Sequence, residues 1–301
     1  MLKLVVWDVQ RGNAAYLRTP NGKHIVIDLG TGSYKGRDST FSPLLHLRDM
    51  WDVSKLDCVI ITHPHLDHID DILNYYLLKP RFLSRPRHLT VDEIWANNIV
   101  EDNDKKLKIE EYLEINKIFS GEPLDPDPTK PANNGGVDIQ IFKPTTCARN
   151  NLNNHSVTIT ISYQGCKVLM PGDNEPLCWE ELLSQPAFRE AIAGTDILVA
   201  PHHGRELGYH SDLFKYFKPR LTVISAGRFD DKSAMERYGK VSSGWTVHKG
   251  FGIDEQRKCL NTRDDGVIVI DMGTNSEKRP FISVNAGMPP LAIALLSHLL
   301  Y

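Results

Sequence analysis

The feature that most constrains this chain is a run of six residues, His63-Pro64-His65-Leu66-Asp67-His68, placed directly after a continuous apolar stretch. Residues 56–62 (LDCVIIT) have the character of a strand buried on both faces. Such a strand delivers whatever follows it to its C-terminal tip. Three imidazoles and a carboxylate therefore gather at one strand end. A helix cannot turn all of them toward one ion. A loop can direct His63 and His65 to one ion and Asp67 and His68 to a neighbour. Imidazole and carboxylate suit zinc, manganese or iron. A solvated surface loop has no reason to concentrate ligands so densely.

The arrangement recurs downstream. Residues 196–200 (DILVA) read as a second buried strand, followed by Pro201-His202-His203-Gly204. Between the two clusters, residues 157–163 (VTITISY) and 167–170 form a predicted hairpin, and Gly172-Asp173 follows it. Each short motif alone is an ordinary turn. Their order gives them weight: strand tips bearing histidine, aspartate and histidine are what a two-metal site requires, with a shared carboxylate as bridge.

The rest of the chain reads as antiparallel hairpins interleaved with helices. Residues 2–9 and 14–18 are strand-like, and Pro20-Asn21-Gly22 turns into a further strand at 24–29. Helices are expected over 43–50, 70–78, 105–119 and 176–193, and strands over 91–96, 221–225 and 267–271. The segment 120–136, rich in proline, glycine and asparagine, is expected to be a surface loop. In residues 79–88, Lys79, Arg81, Arg85 and Arg87 form a basic cluster that suits either a phosphate backbone or a solvated loop paired to acids. This pattern argues for two packed sheets with helices outside.

The 301 residues allow two domains, but ligands spread from His63 to His203 must share one. We expect a single α/β domain over 1–275, with 276–301 a C-terminal extension forming a helix packed on it. The net charge of −3 provides no global field for nucleic acid or anionic lipid, so polyanion binding must rest on a local patch. The five cysteines, odd in number and without a CxxC pair, fit reduced thiols. No leader-like segment opens the sequence, and its longest apolar stretch, 291–300, is too short to cross a bilayer. A cytoplasmic location without transmembrane segments is expected.

His63-x-His65-x-Asp67-His68, then Gly172-Asp173, then His202-His203-Gly204 resembles the metallo-β-lactamase fold. Further landmarks are similar to its ComEC-type DNA-uptake branch. These are Asp8-Val9-Gln10-Arg11-Gly12-Asn13-Ala14, Asn153-Asn154-His155-Ser156, residues 219–225 (PRLTVIS) and Thr262-Arg263-Asp264-Asp265-Gly266. The first departs from the branch pattern at Gln10, Arg11 and Asn13. The resemblance implies a four-layer αββα sandwich with a dinuclear site on one edge, holding zinc or manganese ions. It implies His63 and His65 on one ion, with His155 the candidate third histidine. Asp67, His68 and a member of the His202/His203 pair, with His203 favoured, hold the other. Asp173 bridges. Asp67 and Asp173 are the expected catalytic carboxylates, and Arg11 and Asn154 the expected substrate contacts.

The implied activity is metal-dependent hydrolysis, foremost of a phosphodiester, with DNA or RNA as candidate substrates. Hydrolysis of a lactam, lactone or thioester is the alternative on the same fold, and a non-catalytic partner-binding module is the second. A separate protein partner is compatible with each. His210 and His248 are candidate proton donors to the leaving oxygen, with a solvated surface histidine the favoured reading for each.

Overall fold

The protein, described here from a computed structural model, is defined over residues 1–10, 12–33, 40–119, 125–147, 150–227 and 233–287. Period-two patterning on both faces of its strands explains the architecture. In His24–Ile27, Ile25 and Ile27 enter one apolar cluster and Val26 another. Cys58–Ile60, Cys166–Met170 and Ile197–Val199 divide the same way, so each strand needs apolar cover on both sides.

Two mixed sheets provide that cover. The nine-stranded sheet runs Ile253–Arg257, Trp245–Lys249, Pro280–Ala286, Ile268–Thr274, Leu2–Val6, Ala15–Arg18, His24–Ile27, Cys58–Ile60, Leu83–Ser84. The six-stranded sheet runs Cys259–Asn261, Leu221–Ile224, Ile197–Val199, Cys166–Met170, Thr158–Tyr163, Asp138–Phe142. Their inner faces share one apolar core, which includes Leu4, Ile27, Ile60, Ile159, Val168 and Val223. On the outer face of the first sheet, Trp7, Val26 and Val59 pack with side chains of Pro43–Trp51, Ile72–Leu78 and Asn103–Ile118. On the outer face of the second, Leu169 and Leu198 pack with Pro176–Ser184 and Pro186–Ile192. The layers are helices, sheet, sheet, helices: the expected αββα sandwich.

Parallel pairing then decides where the ligands go. His24–Ile27, Cys58–Ile60 and Leu83–Ser84 are parallel neighbours in the first sheet. In the second, Cys166–Met170, Ile197–Val199, Leu221–Ile224 and Cys259–Asn261 are parallel. Every residue that follows one of these strands lies at the same end of its sheet, the end where open α/β sheets place their sites.

Three expectations need correction. Residues 91–96 are not a strand: Val91–Asn97 is helical, because Thr90 and Glu93 form a reciprocal capping box at its start. In place of the helix expected at 70–78, the chain forms a short α-helix before it, Leu66–Ile69, and then a 3₁₀ segment, Ile72–Leu78. Asp71 separates the two: its backbone N–H donates to the Leu29 carbonyl (2.8 Å), and its carboxylate accepts from Leu44 N (2.8 Å). The extension expected from 276 is not helical at its start. Pro280–Ala286 is a strand between Ile268–Thr274 and Trp245–Lys249, so residue 275 falls inside a hairpin. Residues 288–301 lie outside the described residues.

His46, on the helix Pro43–Trp51, packs its ring 5.3 Å from that of Phe41 and 5.7 Å from that of Trp51. Burial lowers its pKa to about 4. The unfolded chain regains the ordinary value near 6.5 and so binds the proton first. The stability linked to this ring is complete above pH 6.5 and is lost as the pH falls toward 4. His46→Phe should remove on the order of 2 kcal/mol of that acid-side loss, read from urea unfolding at several pH values.

Candidate metal centre

Asp28 is the hidden organiser of the site. It follows His24–Ile27, is fully buried, and has a left-handed backbone (φ 56°) that turns its carboxylate across the neighbouring strand end. Thr62 donates to it twice, from its backbone N (2.7 Å) and its Oγ1 (2.8 Å), and Asn13 Nδ2 donates at 3.1 Å. His68 Nδ1 sits 2.9 Å from Asp28 Oδ2, which aims His68 Nε2 at the cleft between the sheets. The histidine loop is pinned from the other side by Asn98, whose Oδ1 accepts from Leu66 N (3.0 Å) and whose Nδ2 donates to the Pro64 carbonyl (2.9 Å).

The second sheet brings its groups to the same place. Asp173 follows Cys166–Met170, and its backbone N donates to Ser156 Oγ (3.0 Å), which also lies 3.1 Å from His63 Nδ1. His203 follows Ile197–Val199 and adopts φ 54°. Its Nδ1 is 3.1 Å from the Ser225 carbonyl, which leaves Nε2 facing inward. Asp173 Oδ2 then lies 3.1 Å from His203 Nε2, 3.4 Å from His68 Nε2 and 4.0 Å from His63 Nε2. Asp67 Oδ2 is 3.6 Å from His203 Nε2. One donor group is thus His63, His68 and Asp173, and another is Asp67, His68 and His203. His65 Nδ1 adjoins the first at 3.0 Å from His63 Nε2.

Close approach at this point demands glycine. Gly12 has φ +98°, and a Cβ there would lie 1.9 Å from the Asp67 carbonyl oxygen. Its own carbonyl accepts from Ser225 Oγ at 2.8 Å, tying the N-terminal loop to the second sheet.

The electrostatics call for cations. Burial by itself would depress His68, yet Asp173, Asp28 and Asp67 overcome it and hold its pKa well above the ordinary value. The same contest, with Asp173 foremost among the carboxylates, lifts His203 to about 10. Burial and then the charge on His68 keep His63 well below its ordinary value. Burial would raise Asp67 and Asp173, but the facing histidines hold both below the usual carboxylate range. The Nε2 atoms of His68 and His203 are buried without a hydrogen-bond partner. Buried carboxylates facing partnerless imidazole nitrogens are a donor set that fits divalent cations.

The other expected residues stand elsewhere. His202 Nδ1 is 3.3 Å from Glu175 Oε1, outside both donor groups. His155 is fully buried, with Nδ1 2.8 Å from His88 Nε2, and belongs to neither group. Asn154 is buried, and its Oδ1 accepts from Glu175 N (3.2 Å), so it braces the turn after Asp173. Arg11 lies outside the described residues. His248 is half-exposed on an edge hairpin, 2.7 Å from Asp254. Sequence reasoning missed Asp28, Glu175 and His88. For Asp28 the signal was present: a lone acid closing the strand-like run HIVID just before Gly30.

A model of the metallo-β-lactamase superfamily matches residues 7–228. The chain belongs to that superfamily. Over 113 residues it is 27% identical to Recombination protein 2 of Haemophilus influenzae, covering 36% of this chain but 14% of that protein. Among solved structures it is similar to the metallo-β-lactamase fold protein YhfI of Bacillus subtilis (15% identity, TM-score 0.44, covering 80% of this chain and 93% of that one). It is also similar to a putative metal-dependent hydrolase of Parabacteroides distasonis (15%, TM-score 0.42, covering 86% and 93%). Human tRNase Z, short form, is a further likeness (10%, TM-score 0.37, covering 75% and 93%). The protein is a metallo-β-lactamase superfamily hydrolase, and its candidate His and Asp ligands suit the divalent metals typical of the fold. Among the described residues, no helix is long and apolar enough to cross a membrane.

Asp28→Asn keeps the shape but removes the charge that orients His68. Metal affinity should fall about 10–100-fold, measured by competition with a chelator. His203→Ala should lower the bound metal per chain, whereas His202→Ala should retain it, as read by elemental analysis.

Proposed function

We propose that this superfamily member is a phosphodiesterase with two divalent ions, zinc or manganese. The observation that carries the reading is the position of Asp173: one buried carboxylate oxygen faces histidines of both donor groups, as a bridge between adjacent ions would. Paired ions suit in-line displacement at phosphorus, where they can stabilise both the attacking and the leaving oxygen. The sequence landmarks shared with the ComEC-type branch, and the partial match to Recombination protein 2, support a phosphodiester over a carbon-centred substrate.

In this reading His63, His65 and Asp173 hold one ion, and Asp67, His68, His203 and Asp173 the other. When bound, such ions would supply Lewis acidity toward a phosphoryl group and would lower the pKa of water. The chain supplies orientation. Asp67, 41% exposed at its side chain, faces the open side of the cleft and can accept a hydrogen bond from the attacking water. His68 and His203 are fixed by Asp28 and by the Ser225 carbonyl, so neither ring must reorient when charge develops. Glu175 braces His202 beside them and itself accepts from Asn151 Nδ2 (2.9 Å) and Asn153 Nδ2 (3.0 Å).

The test is hydrolysis of bis-p-nitrophenyl phosphate with Mn²⁺ or Zn²⁺. The native protein should turn it over. Asp67→Ala and Asp173→Ala should each lose about a thousandfold or more and hold less metal. Turnover of nitrocefin or a thioester in place of the phosphodiester would overturn the reading, as would full activity in either variant.

A further inference from the structure

The basic stretch at residues 79–88 divides when the chain folds. Arg81 precedes Leu83–Ser84, at the end of the sheet opposite the metal centre, in a small cleft with Lys23 and Asp57. Arg85 is buried, and its Nη2 donates to the Asn116 carbonyl (3.1 Å), so it braces a helix. Arg87 follows the strand and therefore lies at the metal end.

There it meets a residue from the other sheet. Leu83–Ser84 is the edge strand of the nine-stranded sheet, and Asp138–Phe142 is the edge strand of the six-stranded one. Phe142 pairs with Thr158, three residues after His155, so Lys143 also lies at the metal end. Between the two edges runs a groove of about 260 Å³. Arg87 and Lys143 line it, with Phe82 and Ile141 as its apolar lining. Thr129 and Asp127 complete one side, where Thr129 Oγ1 donates to Asp127 Oδ1 (2.7 Å). Ser84, also in the lining, accepts from Ile61 N at 2.9 Å through its carbonyl, two residues before His63. From Arg87 a relay of neighbouring residues leads to the candidate metal ligands. His88 adjoins His155 (2.8 Å), and Ser156 adjoins His63 (3.1 Å).

We propose that this groove binds the nucleotide adjacent to the scissile phosphodiester of a nucleic acid strand. Arg87 and Lys143 hold its phosphate, the partly buried Ile141, backed by the core residue Phe82, carries an apolar face of its base or sugar, and Asp127 accepts from its hydroxyl or amino groups. The inference rests on the phosphodiesterase reading and adds the substrate class. A bare phosphate would use the cations alone. The apolar lining beside a hydrogen-bond acceptor suits a nucleoside, and the volume suits about one unit. Arg87 and Lys143 bring cationic groups to one groove on a chain whose net charge is −3.

The test compares two substrates in the intact metal-loaded protein: a short single-stranded oligonucleotide, as DNA and as RNA, and bis-p-nitrophenyl phosphate, which carries only the scissile phosphate and so offers Arg87 and Lys143 no neighbouring phosphate to hold. In Arg87→Ala/Lys143→Ala the oligonucleotide KM should rise about tenfold or more. The ratio of the two kcat/KM values should fall with it. The slope of log KM against log salt should drop by roughly one to two. Arg87→Lys/Lys143→Arg should recover most of the loss, and matched metal content and thermal midpoints show that the variants fold. An unchanged oligonucleotide KM, or an equal loss on both substrates, would overturn the groove assignment. A native protein that cleaves bis-p-nitrophenyl phosphate but neither oligonucleotide would overturn it too, leaving the phosphodiesterase reading intact. Cleavage of none of the three would overturn that reading itself.

Discussion

Everything in this protein is arranged around carboxylates that the fold forces close together. Asp28, Asp67 and Asp173 converge from two sheets on a cleft, with Asp28 and Asp173 buried there. In a low-dielectric interior such like charges repel strongly unless cations lie between them. His68 and His203 supply part of that compensation by holding protons beyond their ordinary range. Divalent ions would supply the rest and free the imidazoles to act as ligands. The site is therefore a demand for positive charge built into the backbone, and both sheets must be in register before it exists.

The register comes from the strands. The cleft forms because parallel neighbours end together, and the two sheets hold their ends level through one shared apolar core. Precision comes from loops cross-tied to the other elements. Asn98 ties the histidine loop to the helix Val91–Asn97, and Ser225 ties Gly12 to the second sheet. Ser156 serves the backbone of Asp173 and the ring of His63 together. Each tie joins segments far apart in sequence, so the metal geometry depends on tertiary packing more than on any local turn.

The edges of the two sheets show how a nearly neutral chain can bring cationic side chains together locally. Arg81 and Arg85 are drawn to the far end and to the interior. Arg87 from one sheet edge and Lys143 from the other line one groove at the metal end. Charge placed this way acts at short range, beside the chemistry, without a field over the whole surface.

Much of this was legible in the sequence because the strands are short, apolar and followed at once by their ligands. LDCVIIT before His63 and DILVA before His202 announce buried strands, and period-two burial leaves them no other arrangement than layered sheets. The sequence alone therefore determined the fold class and the order and chemical types of the candidate ligands. Where signals were local and competing, it misled: β-branched Val91 and aromatic Trp95 suggested a strand, and the Thr90–Glu93 capping box made a helix. Tertiary structure alone decided what rests on contacts between distant residues. It placed Asp28 behind His68, turned His202 to Glu175 and His155 to His88, and drew Asn154 into a brace. The physical reason is that a side chain's identity limits which bonds it can make, while the partner it meets is set by strand register and by which sheet end each loop leaves.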